Sequence, residues 1–236
     1  MQPVPERNRL LARLRLGDRE KVVAKLTPVS LDVATVLFEP GVPVGAVYFP
    51  LDGVASLVTP MKDGTIVEVT TVGNEGLVGV PLVWGGSLAV RAISQVAGSY
   101  LTISAPDYLG ELDDNPVLAA IIQHYVQALF GQISQAIACN ELHSSEERLS
   151  MWLLLSHDRV GYDRFSIAEE FLGQMLGSSA AAVSHCVGML QEAGLIRYSQ
   201  GDLEIVNRRG LELTACKCYR VIRAEFDGVA PSPQRT

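Results

Sequence analysis

The stretch 166–197 constrains the fold of this chain most, because it places two helical patterns on either side of one glycine. Ser166, followed three residues later by Glu169, matches a capping box, so a helix is predicted to begin near Ile167. Gly177 supplies the backbone freedom that a tight turn between two helices needs. The pattern predicts a helix-turn-helix.

The second helix of this motif has one apolar face and one face of small and polar residues. Ser178 or Ser179 can cap its amino terminus. Val183, Val187 and Leu190 recur at helical spacing and are predicted to pack on the first helix. The residues predicted to point outward are Ala180, Ala181, Ser184 and His185.

A β-hairpin is predicted directly after the helix pair. Two short apolar runs, 195–198 and 203–206, flank a turn at 199–202. Helix, turn, helix and hairpin in this order are typical of a winged helix, whose second helix enters the major groove of DNA in known examples. Glycine-separated helix pairs also occur in many other folds, so the motif alone leaves DNA binding open.

Composition excludes several classes of protein. The 236 residues favour one or two domains, and 48% hydrophobic residues suit a folded core. No apolar stretch approaches the ~20 residues of a membrane span, and the amino terminus is charged where a signal peptide would be apolar. We therefore expect a soluble, cytoplasmic protein without a membrane partner. Its four cysteines are expected to be reduced thiols.

The charge balance weakens the DNA-binding interpretation. The net charge is −7, and from residue 144 onward ten Arg and Lys stand against twelve Asp and Glu. Neutralising phosphates supplies much of the affinity of DNA-binding proteins. A dimer can still gather basic side chains on one surface. The candidates for such a surface are Arg148, Arg159, Arg164, Arg197, Arg208 and Arg209.

Within the amino-terminal half, the sequence pattern changes from one typical of helices to one typical of β-strands. Residues 6–26 predict two short helices with Gly17 between them. From about residue 29, short β-branched runs alternate with turns, which predicts an antiparallel jelly roll or barrel. The predicted strands are 34–38, 46–49, 54–59, 66–71, 77–83, 90–96 and 99–103.

A long helix with two apolar faces follows the β region. Asn115 can cap it, and Pro116 suits its first position. We expect one face on the roll and the other on the same helix of a second copy, as in a two-stranded coiled coil. Burial within one domain is the alternative. The first face is Leu118, Ile122, Tyr125, Leu129, Gln132 and Ala136, and the second is Val117, Ile121, Phe130, Ile133 and Ile137.

A β-roll, a long helix and a winged helix in this order resemble the Crp/Fnr superfamily of bacterial transcription regulators. The resemblance spans residues 7–226. Its motifs are Phe38-Glu-Pro-Gly, Leu176-Gly-Ser-Ser and the LQEAGLI run at 190–196. It implies an α+β fold: an antiparallel β jelly roll like a cyclic-nucleotide-binding domain, a long dimerisation helix and a winged helix-turn-helix.

The resemblance also implies domain boundaries and partners. The roll would be a sensor over 1–114, the dimerisation helix 115–142 and the DNA-binding domain 143–226, where Asn207 caps a last helix over 208–226. A tail over 227–236 is predicted to be disordered. The homodimer would bind a roughly palindromic site on double-stranded DNA and contact RNA polymerase. Its small-molecule effector and any cofactor are unknown.

The sequence departs from the family where cyclic nucleotide binds. Family members hold the ribose with a glutamate and the phosphate with an arginine, but Val80 stands at the glutamate position and the following segment lacks the arginine. Burying an unpaired anion is costly, so cyclic AMP is not the expected effector. Arg91 could substitute, or it could face solvent. The candidate effector pocket is Gly79, Val80, Ser87, Arg91 and Ser134.

The recognition helix departs from the family as well. Ala180 and Ala181 stand where the family commonly has an arginine that reads guanine and a glutamate that reads cytosine. Bidentate arginine–guanine contacts are therefore not expected, and DNA shape and thymine methyl groups should count for more. The residues expected to contact DNA are Gln174, Ser178, Ser179, Ala180, Ser184, His185 and Arg197.

Two pairs of potential metal ligands lie far apart in the sequence. Cys139 and His143 are four residues apart and share a helix face, and Cys216 and Cys218 lie in the predicted last helix. Four such ligands could form a metal or redox site. Residues two apart on a helix point about 200° from each other, so both later cysteines reach one ion only at a frayed end. Buried core thiols are the alternative.

An enzymatic function is not expected. Jelly rolls include metal-dependent cupins with histidines on strands of the roll, whereas all four histidines here fall in predicted helices: His124, His143, His157 and His185. No catalytic triad spacing or phosphate-binding glycine loop is found. The alternatives to a DNA-binding regulator are a DNA-incompetent dimer that acts through protein contacts and a dimer that responds to metal or redox state.

Overall fold

Seven antiparallel strands form the amino-terminal roll in the computed structural model, which describes residues 4–80, 82 and 89–229. They form a three-stranded sheet in the order β1-β7-β3 and a four-stranded sheet in the order β2-β6-β4-β5. The predicted jelly roll is confirmed. The strands are β1 Thr27–Leu31, β2 Val36–Phe38, β3 Ala46–Pro50, β4 Val54–Pro60, β5 Ile66–Val72, β6 Arg91–Val96 and β7 Gly98–Ser104.

The strand predicted over 77–83 is wrong for its described part. Val78 makes only an isolated bridge with Tyr48, and Gly79 then turns the chain with φ +122. That backbone region favours glycine and ends an extended run. Residues 81 and 83 lie outside the described residues.

Two short helices, α1 (Arg9–Ala12) and α2 (Leu16–Val23), precede the roll as predicted. Gly17 lies inside α2, however, and the break between the helices falls at 13–15, where Leu14 is buried. Asn8 docks α1 on the roll: its side chain caps α1 and donates to the carbonyls of Pro50 and Gly76.

The start of β7 passes close to another backbone segment. A Cβ atom on Gly98 would lie 2.5 Å from both Cα and N of Gly53. We expect Gly98→Ala to lower the free energy of unfolding by about 1–3 kcal/mol, since backbone must shift. Gly45→Ala is the control, because no atom of the described residues lies within 4 Å of its Cβ position. Urea denaturation of both variants checks this prediction, and equal stability of the two would contradict it.

Two consecutive helices leave the roll. The first, α3 (Ala105–Asp114), was not predicted, although the hydroxyl of Ser104 caps it. The second, α4 (Pro116–Leu142), begins at the predicted Asn115 cap.

The two faces of α4 have different environments. Tyr125 donates to the carbonyl of Leu77 in the roll, so one face packs inward. The second predicted face is split: Ile121 is buried, whereas Phe130 and Ile137 are 71% and 64% exposed. The described part of the chain therefore leaves one side of α4 uncovered. The buried residues of α4 are Leu118, Ile121, Ile122, Tyr125, Ala128, Leu129, Gln132 and Cys139.

The carboxy-terminal domain is a helix-turn-helix with a three-stranded wing, ordered β8-β10-β9. The winged-helix prediction is confirmed, but the strand β8 was not predicted. The elements are α5 Ser145–Val160, β8 Arg164–Ser166, α6 Glu169–Leu176, α7 Ala180–Glu192, β9 Ile196–Ser199, β10 Asp202–Ile205, α8 Arg208–Thr214 and α9 Cys218–Asp227.

Two boundary predictions in this domain are wrong. Ser166 does not cap α6: it pairs with Asp202 in the wing, and its hydroxyl donates to the Asp202 carboxylate. Sheet pairing therefore takes the serine that the capping box required. The last helix is also broken in two, because Ala215 leaves the helical conformation at φ −63 and ψ 143.

The carboxy-terminal domain packs on the rest of the chain. The rings of Tyr125 on α4 and Phe226 on α9 lie 6.2 Å apart between centroids. Arg159 of α5 is buried, and its guanidinium pairs with Glu75 of the roll at 2.8 Å. Among the described residues, no helix is both long and apolar enough to span a membrane.

Candidate functional site

The outward face of α7 is small, polar and accessible. Gly177 has φ +59, which allows the tight turn after α6, and the Ser179 hydroxyl accepts the N–H of Ala182 as the cap of α7. The inner residues Val183, Val187 and Leu190 are buried as predicted. The exposed residues of the first two turns are Ala180, Ala181, Ser184 and His185.

An acidic side chain lies beside this face. The hydroxyl of Ser184 donates to the carboxylate of Glu169 at 2.7 Å, which links α7 to the start of α6. Glu170 is also exposed next to it. The Glu169 carboxylate at the outward face of α7 would repel a DNA phosphate there. The sequence reasoning missed this contact, because it assigned Glu169 to a capping box.

Two of the expected DNA-contacting residues, Ser178 and Gln174, are only partly exposed. The Ser178 hydroxyl donates to the carbonyl of Leu176, and Ser178 is half-buried. The Oε1 atom of Gln174 is buried and accepts no hydrogen bond from the described part of the chain. Both residues are therefore less accessible than Ser184 or His185.

The basic residues do not form one continuous surface. Arg164 and Arg197 are 75% and 71% exposed on the wing, and both bond to Glu204, whose carboxyl pKa they lower, Arg164 most. Arg148 donates to the last carbonyls of α6. Arg159 is buried at 4% exposure, and Arg208 pairs with acidic residues of its own domain. Arg159 is thus excluded from the predicted basic surface.

The four predicted metal ligands come together. The Sγ atoms of Cys139 and Cys216 lie 3.5 Å apart, and Cys218 Sγ lies 3.7 Å from His143 Nδ1. All four ligand atoms lie within 4.8 Å of one another. Cys216 falls in the break between α8 and α9, and Cys218 opens α9. Cys216 and Cys218 therefore do not share a continuous helix. The separation of about 200° expected for residues two apart on a helix does not keep them from binding one ion.

The thiols of this cluster influence one another. A hydrogen bond from Cys139, together with the backbone N–H of Cys218, lowers the pKa of Cys216 to about 6. The hydrogen bond between the same two thiols raises the pKa of Cys139, and burial raises the pKa of Cys218. All four cysteines of the chain are free, and the fourth, Cys186, is buried on α7.

Comparison with known proteins identifies one domain and the overall fold. Residues 147–214 match the model of the Crp-like helix-turn-helix domain. The chain has the fold of a Crp/Fnr regulator. FixK2 from Bradyrhizobium japonicum superposes with a TM-score of 0.69 at 15% identity, covering 81% of this chain and 98% of that one. A CRP/FNR-family transcriptional regulator from Thermus thermophilus gives 0.60 at 18% identity, covering 80% and 98%. A search of curated proteins finds no match.

The resemblance to the Crp/Fnr superfamily is thereby confirmed. The candidate effector pocket in the roll stays a prediction, because Ser87 lies outside the described residues. Arg91 pairs with Glu39 at 2.8 Å, and the exposed Ser134 donates to the carbonyl of Phe130. Gly79 packs so close to Val47 that a Cβ atom would lie 2.9 Å from its Cγ2. Val80 is half-buried.

A different cavity lies between the roll, α4 and the carboxy-terminal domain. Its volume is roughly 270 Å³, and β5, α4 and α5 line most of it. Glu68 lines this cavity and is half-buried, and its carboxylate accepts hydrogen bonds from Ser56 and Gln95. Burial raises the pKa of Glu68. No sequence signal indicated this cavity, since its walls come from three separate elements.

Proposed function

We propose that the chain is a homodimeric, DNA-binding transcription regulator of Crp/Fnr type that contacts DNA through α7. The observation that carries this proposal is the exposed, small and polar face of α7 within a Crp-like helix-turn-helix domain. A face without bulky groups can approach the base edges of the major groove closely. The proposed contacts are Gln174, Ser178, Ser179, Ala180, Ser184, His185 and Arg197.

The wing supplies the second half of the proposed interface. Arg164 and Arg197 are exposed side by side around Glu204, so their guanidinium groups can reach the sugar–phosphate backbone. With alanines at the family's base-reading positions, specificity comes from DNA shape and thymine methyl groups rather than from arginine–guanine pairs.

Dimerisation is proposed along the uncovered stripe of α4. Val126, Phe130, Ile133 and Ile137 follow spacings of four, three and four, the pattern of a coiled-coil seam. Phe130 and Ile137 are the exposed members, and a second copy of the same helix would bury them. The dimer would act in the cytoplasm together with RNA polymerase, and we propose no enzymatic activity.

The sensor roll is proposed not to respond to cyclic AMP in the ordinary way. Val80 replaces the ribose-binding glutamate. Arg91, the candidate phosphate ligand, is engaged by Glu39. The carboxylate of Glu169 beside Ser184 favours a second candidate function, a dimer that acts through protein contacts without binding DNA.

Selection of bound sequences from random duplex DNA tests the proposal. We expect the purified protein to enrich a two-fold symmetric site whose half-sites lie about 10 base pairs apart, with affinity that falls steeply as salt rises. His185→Ala and Ser184→Ala should weaken binding to that site about tenfold. Met189→Ala, farther along α7, is the matched control and should bind normally.

Two results would contradict this proposal. A consensus that requires guanines contacted by α7 would contradict the predicted mode of recognition. Absence of any enriched site, with a folded and dimeric protein, would favour the function through protein contacts.

A further inference from the structure

The cluster of Cys139, His143, Cys216 and Cys218 has the geometry of a tetrahedral metal site. Around one ion with metal–sulfur distances of about 2.3 Å, neighbouring ligand atoms lie about 3.5–3.8 Å apart. The observed separations of 3.5 Å for Cys139 and Cys216, and 3.7 Å for Cys218 and His143, match this spacing. The remaining separations stay within 4.8 Å.

We propose that Cys139, His143, Cys216 and Cys218 bind one Zn²⁺ ion. Three thiolates and one imidazole form the donor set of closed, structural zinc sites. Hard cations such as Mg²⁺ prefer oxygen ligands, which this set lacks. An iron–sulfur cluster divides its four ligands among two or four iron atoms, so four ligand atoms within 4.8 Å of one another suit a single ion better.

Local structure places all four ligands without strain. Cys139 lies on the last turn of α4, and His143 follows the end of that helix four residues later. The break after α8 frees the backbone at Cys216, so that it and Cys218 turn toward the same point. The three cysteines are buried, which protects a bound ion from exchange with solvent.

A neighbouring side chain supports the site from outside. The amide of Gln135 donates to Cys218 Sγ at 3.0 Å. Such hydrogen bonds orient thiolate ligands and spread their negative charge. Gln135 is therefore a positioning residue for the site.

The proposed ion would lie at the joint between two parts of the molecule. His143 is the first residue after α4, and Ser144 caps α5, where the carboxy-terminal domain begins. The other two ligands come from the connection between α8 and α9. An ion bound here would therefore fasten the carboxy-terminal domain to the end of α4. The proposal does not depend on DNA binding.

Metal content of the purified protein tests the site directly. We expect about one zinc ion per chain in the wild-type protein after gel filtration. Cys139→Ala and Cys216→Ala should lose it, while Cys186→Ala, which removes the cysteine outside the cluster, should keep it. Metal-free wild-type protein after incubation with Zn²⁺ would overturn the proposal, as would stoichiometric iron or a Cys139–Cys216 disulfide in its place.

Cobalt substitution keeps the test valid if the cysteine variants fail to fold. Co²⁺ added to apo wild-type protein should give the visible and near-ultraviolet absorption of tetrahedral, thiolate-bound cobalt, and one equivalent of Zn²⁺ should abolish it. Gln135→Ala should weaken the affinity for the ion about 10–100-fold without removing a ligand. A spectrum of octahedral cobalt, or none, would overturn the assignment.

Because the proposed ion lies between α4 and the carboxy-terminal domain, its removal should make the protein less stable. Removing the ion with a strong chelator should lower the melting temperature by about 10 °C, and Zn²⁺ should restore it. The Cys139→Ala variant should show the lower value with or without chelator. These measurements need no DNA, so their outcome is separate from that of the DNA selection.

Discussion

Replacing Phe130 by glutamate is expected to convert the proposed dimer into a monomer and to weaken binding to its DNA site at least about 100-fold. Phe130 is 71% exposed at the centre of the uncovered stripe of α4. In a symmetric dimer each substitution appears twice, so two carboxylates would meet at the interface without counterions. Light scattering and DNA-binding titration measure the two effects.

The fold itself should survive this substitution, because Phe130 contributes little to the core of its own chain. Leu16→Glu is the matched control: Leu16 is 64% exposed on α2, away from the stripe. This variant should remain dimeric and bind DNA normally. A Phe130→Glu protein that stays dimeric would show that the subunits meet at another surface.

Arg159→Met is expected to lower the free energy of unfolding by about 3–5 kcal/mol. The guanidinium of Arg159 bonds to both carboxylate oxygens of Glu75, at 2.8 and 3.1 Å, and also to Thr71 and Gln132. Arg159 and Glu75 are 4% and 6% exposed. The substitution leaves the Glu75 carboxylate buried without a counterion, which costs more than the pair contributes when intact.

Two further variants separate this cause from loss of packing. Arg159→Met combined with Glu75→Gln should recover part of the lost stability, since no unpaired charge remains. Arg164→Met breaks an exposed ion pair with Glu204 and should cost at most about 1 kcal/mol. Equal losses for Arg159→Met and Arg164→Met in chemical denaturation would contradict the role of the buried charge.

Because Arg159 lies on α5 and Glu75 in the roll, this pair also fastens the two domains together. Gln132 on α4 joins the same network, donating to the carbonyl of Thr71 at 2.9 Å. Arg159→Met should therefore make the connection between α4 and α5 more susceptible to proteolysis. Composition and periodicity gave no indication of this contact, since the partners are 84 residues apart.

Local patterns were sufficient for most of the architecture. Periodic apolar residues predicted α4 and α7, turn residues predicted most of the strands, and Gly177 marked the turn between α6 and α7. The strands β1 and β8 were not predicted. These features depend on neighbours within a few residues, so the sequence expresses them directly. Errors arose where two local signals competed, as at Ser166, which could cap a helix or pair in a sheet.

For the candidate sites too, the sequence determined some features and the tertiary structure decided others. The sequence determined which residues α7 presents, because helical period and burial of the opposite face fix the outward positions. It also supplied Cys139, His143, Cys216 and Cys218, but helical geometry argued against their convergence. Only the tertiary structure decided that α8 ends before Cys216 and that α9 packs along α4. Convergence of distant segments is set by packing of whole elements, which no local pattern encodes.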